Sequence, residues 1–230
     1  MSGIAETSAE NQRYVFVETS NGPPLKAAVR KYTWDDVKEI VTNNELEDFS
    51  RSRETNESYR AFKSKMAEQN TTVFKHILWD QLHWYKAEDN GGLLWQEINE
   101  RHIPDNQIVV RSLGKCLFEC EDDVKILPNH FPYHFEDDIS HICVWSKTAI
   151  PADPSSPIGD ISESTRSVVE KYIQKTFVEG LGVPPENILW FKNWEALQSV
   201  KALSHIHVIL NKVPKPKVES LFYTPGKILS

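Results

Sequence analysis

The chain has 230 residues, 26 Lys and Arg against 33 Asp and Glu, and a formal net charge of −7. That length is enough for one domain with a true hydrophobic core, and 40% hydrophobic beside 26% charged residues excludes a wholly disordered chain. The acidic balance argues against a general nucleic-acid binder, which needs phosphate-facing Lys and Arg.

Residues 1–30 are expected to form a flexible N-terminal segment. The opening run MSGIAETSAENQRYVF has no apolar core behind a basic start and so does not match a secretory signal. Tyr14-Val15-Phe16-Val17 fits a short strand, and Asn21-Gly22-Pro23-Pro24 reads as a turn or linker. Thr33 predicts a helix cap, with Asp35 and Asp36 at the positive helix end and Val37, Ile40 and Val41 at helical spacing. A second helix is predicted over 58–69, where Tyr59, Phe62 and Met66 share a face, and a third over 71–84, with Val73, Ile77 and Leu78 as its stripe. Gly91-Gly92 breaks the chain, and the following LLWQEI run is too short to assign.

Past residue 100 the pattern changes. Ile108-Val109-Val110, Cys116-Leu117-Phe118 and His141 to Trp145 read as strands. After a Pro- and Ser-rich loop over 151–157, a helix is predicted with Asp160 as cap and Glu163 completing a capping box. Its stripe is Val169, Ile173 and Phe177, and Gly180, Gly182 and Pro184-Pro185 end it. Ile188 to Phe191 and Ser204 to Leu210 read as further strands, and Pro214, Pro216 and Pro225 make residues 213–230 an irregular tail. This order predicts an α+β fold with residues 31–212 as a single domain: a mostly helical N-terminal part, then an antiparallel sheet with a crossing helix. No stretch approaches the roughly 18 apolar residues of a membrane span. Three cysteines, Cys116, Cys120 and Cys143, are an odd, low count that suits a reducing compartment. The expectation is a cytoplasmic protein with neither membrane nor nucleic acid as partner.

The sharpest chemical feature is His205-Ile206-His207. Side chains two apart in a strand face the same way, so both imidazoles share one face while Ile206 and Val208 take the other. Such a pair suits nucleophilic, acid–base or metal-binding work, although an isolated pair of this kind is more often structural. A second feature is Pro128 to Asp138, which packs His130, His134, three aromatics and three acids together. With His141 nearby a metal site can be imagined there, but Pro132 rules out a helix aligning His130 with His134, and no His–carboxylate triplet has an interpretable spacing. That segment reads equally as an aromatic corner or as a sugar- or base-stacking surface. Cys116 and Cys120 lack a second pair, so no metal site is assigned.

The run Phe191-Lys192-Asn193 through Gln198-Ser199-Val200, followed by the histidine strand, resembles the end of the histidine-triad nucleotide hydrolase and transferase superfamily. The upstream order of a strand ending in Trp145-Ser146-Lys147, a long helix and a strand is similar as well, so the resemblance covers residues 139–212. It implies catalytic His205 and His207, with Asn193, Gln198 and Ser199 on phosphate oxygens and Lys147 supplying positive charge. The implied ligand is a nucleotide or nucleotide sugar. Only two histidines are present, and Ser199 stands one residue too far away. Either Leu203 replaces the first histidine and His205 is the nucleophile, or His207 is the nucleophile and Ile209 replaces the third. A carbon side chain cannot move a proton, so the fold can persist with the reaction altered or absent.

Over residues 30–212 the chain also resembles the fungal N-acetylglucosamine-induced protein family, a domain of unknown function. The residues that carry this are Tyr32-Thr33-Trp34, Asn43-Asn44-Glu45-Leu46, Pro132-Tyr133, His141 to Lys147, and Trp190 to Asn193 with the closing histidine strand. The resemblance implies a cytosolic role in amino-sugar metabolism or its regulation, with no established reaction and no assigned cofactor. Two chemistries fit that role. One is a nucleotidyl hydrolase or transferase working through a covalent nucleotidyl-imidazole. The other is a sensor or adaptor that keeps the pocket without turnover.

Overall fold

The computed structural model describes residues 12–19 and 22–229. Of the 1–30 segment expected to be flexible, residues 1–11, 20 and 21 lie outside the described residues, and the rest is ordered largely by strand pairing. An antiparallel hairpin, β1 (Tyr14–Thr19) and β2 (Gly22–Ala28), comes first. Pro23 and Pro24, expected to belong to a turn or linker, fall inside β2. A two-stranded ribbon tolerates prolines because each strand has an edge where no N–H is required.

α1 (Trp34–Thr42) begins where the sequence places it. Thr33 Oγ1 accepts from the Asp36 N–H at 3.2 Å, and the Asp36 carboxylate accepts from the Thr33 N–H at 2.8 Å, which satisfies two orphan donors reciprocally. α2 (Arg53–Glu68) starts five residues earlier than expected, because Ser52 caps it through the Thr55 N–H. α3 (Val73–His76) widens into a π-helical stretch, Ile77–Leu82, and stops at His83, whose φ is 55°. The unassigned LLWQEI run supplies α4 (Trp95–Glu100).

The two strands expected at Ile108 to Val110 and Cys116 to Phe118 are absent; both segments are loops. In the first, the Val109 N–H donates to Asn90 Oδ1 at 2.8 Å; before and within the second, carboxylates satisfy the backbone in place of a neighbouring strand. Asp123 accepts from the Leu113 and Gly114 N–H groups at 2.7 Å each, and Glu119 accepts from those of Lys115 and Cys116. The strand that does form is β3 (Val124–Pro128).

β3 is an edge of the main sheet, whose order is β3-β4-β6-β5 with β4 (Ile139–Ser146), β5 (Ile188–Phe191) and β6 (Ser204–Asn211). All its pairings are antiparallel. Between β4 and β5 runs α5 (Glu163–Ile173), continued by a π-helical stretch, Gln174–Gly180. Its cap is Ser162 and not Asp160; the Asp160 carboxylate instead takes the Ile161 N–H and the Arg166 guanidinium.

Period-two alternation gives the sheet two different faces. Ile126, Ile142, Val144, Ile206, Val208 and Leu210 pack against Val169, Tyr172, Ile173 and Phe177 of the α5 segment. The opposite face meets the N-terminal helices in two separate apolar clusters. One gathers Phe74, Leu78, Leu82 and Trp84 against Leu127, Trp145 and Leu203; the other gathers Tyr32, Val37, Ile40, Phe49 and Phe135 against Phe191 and Ile209. The architecture is thus α+β, a helical N-terminal part laid over an antiparallel sheet. The C-terminal segment carries α6 (Lys215–Glu219) and then docks along β3: the Tyr223 N–H donates to Ile126 O at 2.8 Å, and the Ile126 N–H donates to Thr224 O at 2.9 Å. The tail read as irregular therefore covers the free edge of the sheet. No helix among the described residues is long and apolar enough to cross a membrane.

Candidate functional site

Where the helix-facing side of the sheet passes between its two apolar clusters, the side chains turn polar. β6 presents His205 and His207 on this face. Its neighbour β4 presents His141, Cys143 and Trp145, in a register that sets Trp145 opposite His205 and Cys143 opposite His207. His141 sits one diagonal further along and reaches His207, with Nε2 2.9 Å from Nδ1. Three imidazoles therefore converge, two from the motif strand and one from β4. Each lies against an aromatic ring: His205 on Trp145 at 4.2 Å between centroids, His207 on Phe191 at 5.0 Å, and His141 on Tyr133 at 5.2 Å.

The rings are wrapped by protein, and that sets their charge. Burial disfavours the imidazolium, pushing His205 down to about 4 and His141 down to about 3, and holding His207 well below its ordinary value, where the neighbouring His141 and His205 add to the effect. All three are neutral near pH 7. Burial likewise pushes the Cys143 thiol up to about 12.

The hydrogen bonds distinguish the two strand histidines. His205 Nδ1 lies 3.3 Å from its own chain's Leu203 carbonyl, which fixes the proton on Nδ1 and leaves Nε2 as a lone pair with no protein partner among the described residues. His207 has neither nitrogen free, since Nδ1 meets His141 and Nε2 meets the Asn193 amide at 3.1 Å. Asn193 also contacts Tyr133 Oη at 3.2 Å, and Asn129 contacts His141 Nε2 at 3.1 Å, so a chain of polar groups holds the rings in place.

A cavity of about 360 Å³ opens over this arrangement. Its polar wall includes His205, His207, Asn193, Ser199 and Arg51, and its apolar wall is built mainly from Tyr59, Phe62, Phe131, Trp145 and Val200. Arg51 is held by its Nε–H donating to Phe131 O at 2.8 Å, with Tyr59 beneath the guanidinium at 4.7 Å. The Pro128 to Asp138 segment divides: Asn129, His130 and Phe131 line the cavity, while Phe135 enters an apolar cluster.

Of the residues singled out from sequence, His205, His207, Asn193 and Ser199 meet at this cavity. Gln198 does not line it; its amide donates to Asn193 O at 2.7 Å and braces the turn from behind. Lys147 lies elsewhere, 3.4 Å from Asp123 and above the Trp84 ring. At the end of β4 it pairs with the acid that also organises the 113–114 loop, so the cavity's guanidinium comes from Arg51. Nothing in the sequence marks Arg51, which reaches the site from the turn before α2. His141 is visible in sequence only as a neighbour of His130 and His134, and the β4–β6 register gives it to His207 instead.

A helix-covered antiparallel sheet whose central strands wall a cavity with neutral imidazoles defines the chain as an α+β protein with a polar cavity on its sheet. The chain belongs to the family described as protein of unknown function (DUF3605), which matches residues 33–211. It is 38% identical over 190 residues to N-acetylglucosamine-induced protein 1 of Candida albicans, covering 83% of this chain and 72% of that protein. It is 25% identical over 181 residues to an uncharacterized protein of Saccharomyces cerevisiae, covering 78% of each. Among solved structures, the crystal structure of HTC1 superposes with a TM-score of 0.59 at 24% identity, over 83% of this chain and 92% of that one, which shows a shared fold.

Proposed function

We propose that the chain is a nucleotidyl hydrolase or transferase in the N-acetylglucosamine response, with His205 as nucleophile and a nucleotide or nucleotide sugar as substrate. One observation carries this reading: His205 has Nδ1 committed to a backbone carbonyl and Nε2 bare on the wall of the cavity. A neutral imidazole held in that tautomer is a ready nucleophile. Of the two registers open from sequence, this geometry supports the one with Leu203 in the first histidine's place and His207 as a positioning residue. The pathway is taken from the name of the Candida albicans relative. A cytoplasmic setting fits three cysteines that are all free.

The chemistry balances as follows. The Nε2 lone pair of His205 forms a bond to phosphorus, the bond from phosphorus to the leaving oxygen breaks, and the electron pair departs with that oxygen. Water or a sugar phosphate then forms a new oxygen bond to phosphorus, the phosphorus–nitrogen bond breaks with its electron pair returning to Nε2, and the proton of an attacking water passes to solvent. Arg51 supplies positive charge for the phosphate oxygens, with Ser199 as a hydrogen-bond donor on the same wall, while the Asn193 amide is taken up by His207 and Tyr133 and holds the histidine in place. None of the three neutral imidazoles is an effective acid near pH 7, so the leaving group must depart as a stable anion. Phosphoanhydrides such as nucleotide sugars meet that condition and simple alkyl phosphates do not.

The test is incubation with UDP-N-acetylglucosamine and a panel of nucleoside diphosphates and diphosphate sugars, following phosphorus species by NMR, beside His205→Ala. Turnover that disappears in the variant supports the proposal. The rival, a sensor without turnover, is favoured by Leu203 standing where the triad pattern has a histidine; calorimetric binding with no turnover would establish it. Neither binding nor turnover would overturn both.

A further inference from the structure

His141, Cys143 and His207 form a second constellation, on the side of the cluster away from His205. His141 Nε2, Cys143 Sγ and His207 Nδ1 all lie within 4.8 Å of one another, and the three residues are 7%, 5% and 6% exposed. Nδ1 of His207 is 2.9 Å from His141 Nε2 and 3.6 Å from Cys143 Sγ. A tetrahedral zinc ion with bonds of about 2.0–2.1 Å to nitrogen and about 2.3 Å to sulfur sets its ligands roughly 3.3–3.6 Å apart; the 3.6 Å His207–Cys143 spacing matches this, and the His141 and His207 nitrogens, 2.9 Å apart, would part slightly to admit the ion.

The surrounding groups prepare the same site. Asn193 Oδ1 is buried without a partner while the amide nitrogen faces His207 Nε2 and Tyr133 Oη. Turning the amide over lets Oδ1 accept from His207 Nε2–H and Tyr133 O–H together, and moves the amide nitrogen to the orphaned position. That orientation places the His207 proton on Nε2 and leaves Nδ1 as a lone pair aimed at His141 and Cys143. A ligating histidine that donates its other N–H to a carbonyl oxygen is the usual supporting arrangement of a metal centre. Access exists from two sides: Cys143 and His207 line the 360 Å³ cavity, and His141 lines a separate one of about 470 Å³.

We propose that His141 Nε2, Cys143 Sγ and His207 Nδ1 form a three-ligand site for a borderline-soft divalent cation of the zinc class, with its fourth position taken by water or a ligand oxygen. Two imidazoles and one thiolate favour such an ion over magnesium or calcium, which demand oxygen. On binding, the Cys143 S–H bond breaks, its proton passes to buffer, and the sulfur electron pair forms the bond to the metal. The site stands independently of phosphoester chemistry and is read without any substrate.

The experiment strips the full-length chain with chelator and titrates it with Zn²⁺ and, as a spectroscopic probe, Co²⁺. One equivalent per chain is expected, with a near-ultraviolet thiolate-to-cobalt band that Cys143→Ser abolishes and one proton released per zinc by calorimetry in buffers of different ionisation enthalpy. X-ray absorption on the zinc-loaded wild-type chain keeps the test decisive if that variant fails to fold; it should show one sulfur and two imidazoles in the coordination shell. Absence of stoichiometric binding, or a shell without sulfur, overturns the proposal.

Discussion

Near pH 7, desolvation holds the three imidazoles neutral, and this has a stability consequence with a definite sign. In the unfolded chain a histidine takes up its proton near 6.5, whereas in the folded protein His205 does so only near 4 and His141 only near 3. Between those values the unfolded state binds more protons, so stability is full above about 6.5 and is lost as pH falls toward the folded values. Each buried imidazole contributes a slope of up to about 1.4 kcal/mol per pH unit in that window. Urea midpoints measured from pH 7 down to 4.5 should fall steeply, and His141→Gln should flatten the decline; an equal slope in the variant would contradict the burial argument. The same direction bears on the proposed reaction. With His205 attacking as the free base, kcat/KM should hold level through pH 6.5 and drop only near 4, whereas a solvated histidine would place the break near 6.5. Arg51 has a different signature. Its guanidinium is a positive charge on the cavity wall, the proposed partner of a phosphate, and a charge-assisted hydrogen bond is worth about 1.5–3 kcal/mol. Arg51→Ala should therefore raise KM for a phosphorylated ligand by roughly 10- to 100-fold with a smaller effect on kcat, as initial-rate kinetics would show.

At the scale of elements, α5 holds the sheet face opposite the cavity, and Phe177 is fully enclosed between its π-helical turn and the strands. Phe177→Ala should cost about 3–5 kcal/mol, and Ser162→Ala, which removes the helix cap, about 1 kcal/mol; denaturant unfolding separates the two. The features readable in sequence are those with a strong local signal. They are α1 with its Thr33 cap and acidic first turn, the α5 stripe of Val169, Ile173 and Phe177, and the apolar runs of β4, β5 and β6. What escaped was decided by distant partners. The 108–118 segment looks β-like by composition, yet Asn90, Asp123 and Glu119 satisfy its backbone as a loop, while the strand itself forms further on as β3. The site follows the same division. That His205 and His207 share a face follows from period two alone, but that His141 faces His207 depends on the β4–β6 register, and Arg51 arrives through loop packing that no spacing encodes.

For the molecule as a whole, the vulnerable feature is the outer edge of β3, an open row of backbone donors and acceptors that another chain could extend. The C-terminal segment covers it through Ile126 and is pinned in turn by Tyr172 Oη–H donating to Pro225 O at 2.7 Å and by the Leu229 N–H donating to Phe118 O at 2.7 Å. Its path depends on Gly226, whose φ is 70° and where an added Cβ would stand 2.6 Å from both Thr176 Cγ2 and Tyr172 Oη. Left-handed strain and overlap together should make Gly226→Ala cost about 2–4 kcal/mol. At roughly 2–4 °C per kcal/mol for a chain of this size, melting should move down by about 5–15 °C. The variant should also bare the β3 edge, so light scattering should show association that grows with protein concentration, and truncation after Glu219 should show the same more strongly. A variant that melts unchanged and associates no more than the wild type would mean that the tail merely rests on the sheet and does not close it.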